Sequence, residues 1–185
     1  MRYAGTRRID WKFAPIADLD AYLAADTLNQ IVWQNGVAVA PQTTSAQSHA
    51  VKLPSESEWL AVVNEVLWCA GNVEKALHRQ NLLHANEQLN ANVRPGVLRL
   101  LSWQAAVAQP DLDAGSQWKF LAAALPVAQQ QVLSQSYAQA DLRQTQASLH
   151  ALLALTAQVS RQLAKQLRFD LPEWFEPGLA QLRQW

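Results

Sequence analysis

Cysteine is almost missing from this sequence: Cys69 stands alone among 185 residues. A lone thiol makes no intrachain disulfide and no thiolate cluster, so a reducing cytoplasm is the expected compartment. Set inside an amphipathic stretch, Cys69 reads as a small buried apolar residue. An excess of one charge is missing too, because fifteen Lys and Arg balance fifteen Asp and Glu. That removes the basic footprint of a protein held to phosphates, and no nucleic-acid partner is expected. Nowhere is there an uncharged run of the ~20 apolar residues that a membrane span needs. Residues 1–10 carry three arginines with no apolar segment of leader length behind them, so neither a membrane span nor a secretory leader is expected. His78, His84 and His150 have no spacing to a carboxylate or cysteine that makes a metal site. What is plentiful is apolar: half of the residues are hydrophobic, which gives a folded core rather than disorder.

Strand signals are scarce as well. Arg8-Ile9-Asp10-Trp11-Lys12-Phe13-Ala14-Pro15 alternates, with Ile9, Trp11 and Phe13 on one face and Arg8, Asp10 and Lys12 on the other, until Pro15 ends it. Tyr3-Ala4-Gly5-Thr6 allows a turn and a short arm before it, and no other strand pattern follows. One or two strands cannot pair their edges and bury a face without a larger sheet. The opening is therefore expected to be the last part of a sheet completed by another chain or by an N-terminal segment. Its apolar face is expected to be covered by the chain's own helices or by a second copy of the chain, as in a homodimer.

Helix signals dominate the rest. Residues 16–34 read as a helix with Leu19, Tyr22, Leu23, Leu28 and Ile31 on its buried side, stopped by Asn35-Gly36. Residues 37–54 hold Pro41, threonines, serines and glutamines, which is linker chemistry. Ser55 followed by Glu58 is a capping-box start for a long helix to about residue 80. A second helix is expected over about 82–108, kinked or broken at Pro95. Shorter pieces at 116–125 and 127–137, a long helix capped by Asp141 and running to Leu167, and a last helix over about 173–183 complete a bundle-like domain. The expected fold class is mostly α: a helical-bundle domain over 55–185, a linker over 37–54, and a strand and helix over 1–36.

The polar residues between Asn64 and Trp103 are the ones to explain. Leu60, Val63, Leu67, Val73 and Leu77 recur at helical steps, while Asn64, Glu65, Asn72, Lys75 and Arg79 exceed what a plain core helix requires. Glu65 is able to accept hydrogen bonds from a cation such as a guanidinium, or simply to sit on the surface. Trp68 and Trp103 offer flat apolar faces to sugar rings, although tryptophans at helical spacing more often belong to a core. Lys75 and Arg79, four apart, share a helix face and suit phosphates or solvent equally.

Several of these stretches together resemble the aminoglycoside 6-adenylyltransferase (streptomycin adenylyltransferase) family. Its Arg-Ile-Asp strand and Pro-x-x-x-Leu-x-x-Tyr-Leu-x-x-Asp-x-Leu pattern is met by Arg8-Ile9-Asp10, Pro15, Leu19, Tyr22-Leu23, Asp26 and Leu28. The family's Pro-Ser/Thr-Glu-x-Glu lead-in and Asn-Glu-Phe-Trp-Trp helix look like residues 54–58 and Asn64-Glu65…Trp68. Its Val-Ala-Lys-Gly-Leu-Trp-Arg run looks like Val73-Glu74-Lys75-Ala76-Leu77-His78-Arg79, and its Arg-Pro…Leu…Leu-x-Trp helix like Arg94-Pro95…Leu98…Leu101-Ser102-Trp103. Ser116-x-Trp118-Lys119-Phe120-Leu121 and Leu167-x-Phe169-x-Leu171-Pro172 extend the likeness over nearly the whole chain, as the C-terminal two-thirds of the family pattern.

The resemblance implies a nucleotidyltransferase that passes AMP from ATP to a hydroxyl of a cationic aminoglycoside, with Mg²⁺ and ATP on an α/β domain and the drug on a helical one. It makes Asp10 a metal ligand and catalytic residue, Glu65, Trp68 and Trp103 drug contacts, and Lys75 and Arg79 nucleotide contacts. Such chemistry needs clustered carboxylates to hold metal and triphosphate. In the family two of them come as Asp-x-Asp after Gly-Ser, and no such motif precedes Asp10 here. Asp18-Leu19-Asp20 and Asp111-Leu112-Asp113 lack the Gly-Ser turn. The expectation is a family member inactive on its own, with a non-catalytic helical binding or interaction module as the alternative.

Overall fold

Where helices begin and end is settled largely by side chains that bond free backbone groups. A computed structural model describes residues 9–36, 39–40 and 43–182, and these divide into two units, Met1–His49 and Ala50–Trp185. The described structure is mostly helical. Its one β pairing is the isolated bridge between Ala50 and Asp113.

In the first unit the expected strand is not formed. Residues 9–15 form no sheet strand among the described residues, and a single extended segment needs a larger sheet to become one. Its apolar side chains stay exposed, Phe13 at 91%. Arg8 and the arm Tyr3-Ala4-Gly5-Thr6 lie outside the described residues. The helix expected over 16–34 is cut short: a single 3₁₀ turn, Ile16–Asp18, leads into α1, Leu19–Ala25, whose one buried residue is Leu23. Asp26 is the reason. Its backbone turns extended (φ −141°, ψ 111°), and its carboxylate accepts from the Leu28 N–H at 2.8 Å, a local bond that competes with the helix. The same Oδ1 meets His49 Nε2 at 2.9 Å, while Thr27 N–H donates to Ser48 Oγ at 2.9 Å and Ser45 N–H to the Thr27 carbonyl. Asp26 thus ties the end of α1 to residues 45–49, and these bonds hold its carboxyl below the ordinary range.

The second unit is a helical bundle built around α2, Glu56–His78. Ser55 accepts from the Glu58 N–H and Glu58 reaches back to the Ser55 N–H, a complete capping box. Gln80, at φ +56°, ends the run. Next come α3, Leu82–Gln88, a π turn at Leu89–Val93 and α4, Arg94–Ala108, so the segment neither breaks nor stops at Pro95. A proline lacks the N–H for the carbonyl four residues back and its ring crowds that carbonyl. The π turn widens the helix just before Pro95, with the Arg94 N–H reaching back to the Leu89 carbonyl.

Short pieces follow: a 3₁₀ turn at Ser116–Trp118, α5, Leu121–Ala124, and α6, Val127–Gln135. Asp141 accepts from Gln144 N–H and starts α7, Leu142–Leu167. Left-handed Arg168 (φ +60°) ends it, and the chain returns to the start of α2, where Asp170 N–H donates to Glu56 at 2.8 Å and the Phe169 ring lies 5.6 Å from that of Trp59. Last is α8, Phe175–Leu182.

The core is one continuous cluster. α2 gives it Trp59, Val63, Val66, Leu67 and Val73; α4 gives Val97, Leu100, Leu101 and Trp103; α7 gives Leu149, Leu152, Leu153, Val159 and Leu163. Two features weld α4 into it. Arg94, only 4% exposed, donates to Ser136 Oγ and to the Ser136 carbonyl, each at 2.7 Å, and to Asn90 Oδ1, and its guanidinium lies 3.8 Å from the Tyr137 ring centre. Each nitrogen of the buried guanidinium thereby donates one hydrogen bond, and no carboxylate is among the acceptors. Beside it, Gly96 lets α2 and α4 touch: a Cβ there would stand 2.4 Å from Val66 Cγ2.

Gly96→Ala is therefore expected to destabilise the bundle by about 1–3 kcal/mol through overpacking, although alanine is the better helix former by ~1 kcal/mol. Val66→Ala in that background should recover part of the loss. Denaturant unfolding of the two single variants and the double gives the coupling; strictly additive losses would show that the two side chains do not meet.

Candidate functional site

A cleft of about 650 Å³ opens on the surface of the bundle between α2 and α8. Its α2 wall is a double stripe. Asn64, Trp68, Asn72, Lys75 and Arg79 form the outer row, and Leu67, Gly71, Glu74 and His78 the inner one, spaced at three and four residues as one helix face requires. Trp174, Gly178, Gln181 and Leu182 form the opposite wall.

The position of α8 follows from the sequence around it. Phe175, Leu179 and Leu182 are buried, and Arg161 of α7 grips Glu176 with both ends of its guanidinium, at 2.8 and 2.7 Å. Small residues allow a near approach: a Cβ on Gly178 would lie 3.6 Å from Leu67 Cδ1, and one on Gly71 4.0 Å from Leu182 Cδ2. The two walls therefore meet at a narrow apolar floor and spread outward, leaving Trp68 71% exposed and Trp174 41% exposed.

The residues singled out from the sequence fall in different places. Trp68, Lys75 and Arg79 line the cleft. Trp103 is instead 7% exposed and packed in the core cluster, outside the cleft lining. Glu65 is exposed on α2 outside the lining, accepting the Cys69 thiol at 3.1 Å. Burial first, and the Glu65 carboxylate after it, push that thiol up to about 11, so Cys69 is protonated and unreactive at neutral pH. Asp10 belongs to the first unit and is exposed.

Sequence reasoning passed over Glu74 and the α8 wall. Glu74 is 6% exposed, an acid on the apolar side of α2, seven residues after Leu67 and thus on the same face. It also stands where the family pattern carries alanine, which was the available signal. Its Oε1 lies 3.4 Å from His150 Nε2 of α7, and neither atom has a hydrogen-bond partner. Burial raises the Glu74 carboxyl above its ordinary range, and the nearby His150 opposes that rise. Glu74 and His78 also border a second, smaller cavity of about 170 Å³ with Leu77, Leu142, Arg143 and Gln146.

A carboxyl with a raised folded-state pKa binds more protons in the folded chain than in the unfolded one. Its contribution to stability is present below the ordinary value of 4.5 and is lost as pH rises through the window above it. Glu74→Gln is expected to flatten this fall in stability above pH 4.5, read from denaturant midpoints at several pH values. An unchanged pH profile would show that Glu74 is not the group responsible.

No group of three His, Cys, Asp or Glu able to hold a metal ion occurs among the described residues. These residues by themselves do not fit a divalent ion. No helix among them is long and apolar enough to cross a membrane.

Comparison with known proteins joins these elements. The chain is 24% identical over 172 residues to the aminoglycoside 6-adenylyltransferase of Bacillus subtilis, covering 91% of this chain and 61% of that protein. It is 26% identical over 179 residues to the corresponding protein of Campylobacter jejuni, covering 95% and 62%. A crystal structure of an aminoglycoside 6-adenyltransferase from Bacillus subtilis shares its fold, with a TM-score of 0.68 at 22% identity over 92% of this chain and 63% of that one. The chain thus spans a little over three-fifths of the length of the relatives it matches. The family model for streptomycin adenylyltransferase matches residues 1–177, and the chain belongs to that family.

Proposed function

We propose that the cleft between α2 and α8 receives a cationic aminoglycoside of the streptomycin type, whose hydroxyl accepts AMP from ATP when a metal-binding catalytic site is supplied. One observation carries this reading: the face of α2 that bears the family-like residues Asn64, Trp68, Lys75 and Arg79 is the face that opens into the cleft. Exposed Trp68 and Trp174 give flat apolar surfaces for sugar rings. Asn64, Asn72 and Gln181 supply amide donors and acceptors for hydroxyls, and Lys75 and Arg79 on the outer row suit the phosphates of a nucleotide. The relatives in Bacillus subtilis and Campylobacter jejuni are aminoglycoside 6-adenylyltransferases, which supports the same acceptor class.

ATP is the co-substrate this family implies, and a divalent ion, held by clustered carboxylates, would steady its phosphates and the leaving pyrophosphate. Asp10, at the position of the family's Arg-Ile-Asp strand, is our candidate for one such carboxylate. The 185 residues contain no Gly-Ser followed by Asp-x-Asp, which favours a second reading in which they serve as a binding module without transferring AMP themselves.

Two measurements test these readings. Trp68→Ala is expected to weaken streptomycin binding about tenfold or more while changing stability by less than ~0.5 kcal/mol, because the ring is exposed. Trp103→Ala should instead cost about 3–5 kcal/mol of stability through the cavity it leaves. Calorimetric titration and urea unfolding report both; full streptomycin affinity in Trp68→Ala would remove the cleft from the reading. The 185-residue chain alone, mixed with ATP, Mg²⁺ and streptomycin, is expected to give no adenylylated drug. Product formation that disappears in Asp10→Asn would overturn the binding-module reading.

A further inference from the structure

Glu74 and His78 line the smaller cavity as well as the cleft, so the two spaces share a stretch of α2, and α7 closes the smaller one with Leu142, Arg143 and Gln146. Along α2 the lining changes character. Asn64, Trp68 and Asn72 are amide and aromatic, whereas Lys75, His78 and Arg79 are basic, and Trp68 lies about 16 Å from Arg79 along the helix axis. The basic end is the one that runs into the smaller cavity. Lys75, Arg79 and Arg143 are exposed and make no ion pair among the described residues. Nor are they needed to cap α2: the carbonyls of Lys75, Ala76 and Leu77 in its last turn accept from the N–H groups of Arg79, Asn81 and Gln80. The one acid in either lining, Glu74, is 6% exposed and pairs with His150 at 3.4 Å rather than with any of the three.

We propose that the basic end of the cleft and the smaller cavity form one subsite for a pyrophosphate-type anion, held by Lys75 and Arg79 from α2 and by Arg143 from α7. This goes beyond the function proposed above, which uses neither Arg143 nor the smaller cavity, and it holds whether or not a drug binds. Cations of one sign around a concave space focus their field into it, and the space then favours an anion of more than one charge. A cavity of about 170 Å³ far exceeds the ~15 Å³ that one water needs, so a single small ion would sit loosely in it. Each guanidinium offers a planar fork of N–H groups that matches two oxygens of one phosphate, and Lys75 adds a compact point charge. Two linked phosphates give each arginine its own partner. A lone carboxylate, with two oxygens and one charge, would leave an arginine unmatched.

The probe is inorganic pyrophosphate without a metal ion, titrated calorimetrically into the 185-residue chain. It is expected to bind, and Arg143→Gln to weaken it about tenfold, the scale of one charge-assisted hydrogen bond. Lys165→Gln removes the same charge from an exposed position of α7 outside both cavities and is expected to leave the affinity unchanged. Both side chains are exposed, so neither substitution threatens the fold. Absence of pyrophosphate binding overturns the subsite. So does an equal loss in Arg143→Gln and Lys165→Gln, which would mark attraction by overall charge alone. ATP then identifies the source of the anion: competition with pyrophosphate, weakened in Arg143→Gln, assigns the subsite to a nucleotide's phosphate chain, and pyrophosphate binding that ATP does not displace assigns it to the free ion. Streptomycin titrated in parallel keeps the two claims apart. If streptomycin binds and pyrophosphate does not, only this subsite falls; if pyrophosphate binds through Arg143 and streptomycin does not, the subsite stands and the aminoglycoside reading falls.

Discussion

The near contact of α2 and α4 at Gly96 is the constraint on which the rest of the bundle depends. α2 is packed by α3, α4, α7 and α8, and only one face of it is left to the cleft. Its rotation is set where Val66 meets the bare Cα of Gly96, since a side chain on Gly96 would have to occupy the space of the Val66 methyl. A helix face repeats every three to four residues, so turning α2 by one residue would carry Trp68 and Lys75 out of the cleft. The backbone of α4 reaches that contact because the π turn at Leu89–Val93 absorbs Pro95, and because the Arg94 side chain is fixed to Ser136, Asn90 and Tyr137. The Arg-Pro-Gly run at 94–96 thus works as one device, which explains a motif that carries no ligand chemistry.

Polar groups in the interior are treated in two ways. Arg94 is buried with each of its three nitrogens donating a hydrogen bond, and it locks the fold. Glu74 is buried with His150 as its nearest polar neighbour. The first arrangement is what a structural charge requires. The second carries a standing cost of burial, which its raised carboxyl pKa expresses and His150 partly offsets.

Much of the helical unit was legible in the residues. The Ser55–Glu58 capping box and the Asp141 cap are read directly from short-range chemistry, and α7 ends at Leu167 as its stripe predicts, because caps and periodicity act within a few residues. The first unit was less legible. Alternation at 8–14 predicts a strand, yet strand structure rests on a larger sheet, and residues 9–14 form no sheet strand among the described residues. The helix predicted to reach residue 34 stops at Ala25 because the Asp26 carboxylate bonds Leu28 and His49, and the His49 partner lies 23 residues away.

The sequence by itself determined the helical class, the caps, and the family to which the residues of α2 and α4 point. Tertiary structure decided which of those residues share a cavity. Trp68 and Trp103 look alike as letters at helical spacing, but one lies on the face of α2 that opens into the cleft and the other on a face of α4 that is buried in the core. Glu74 became visible only once α7 brought His150 to it and α8 closed the cleft beside it. Local chemistry fixes where a helix starts and stops; the direction each face points is fixed by what the other helices cover.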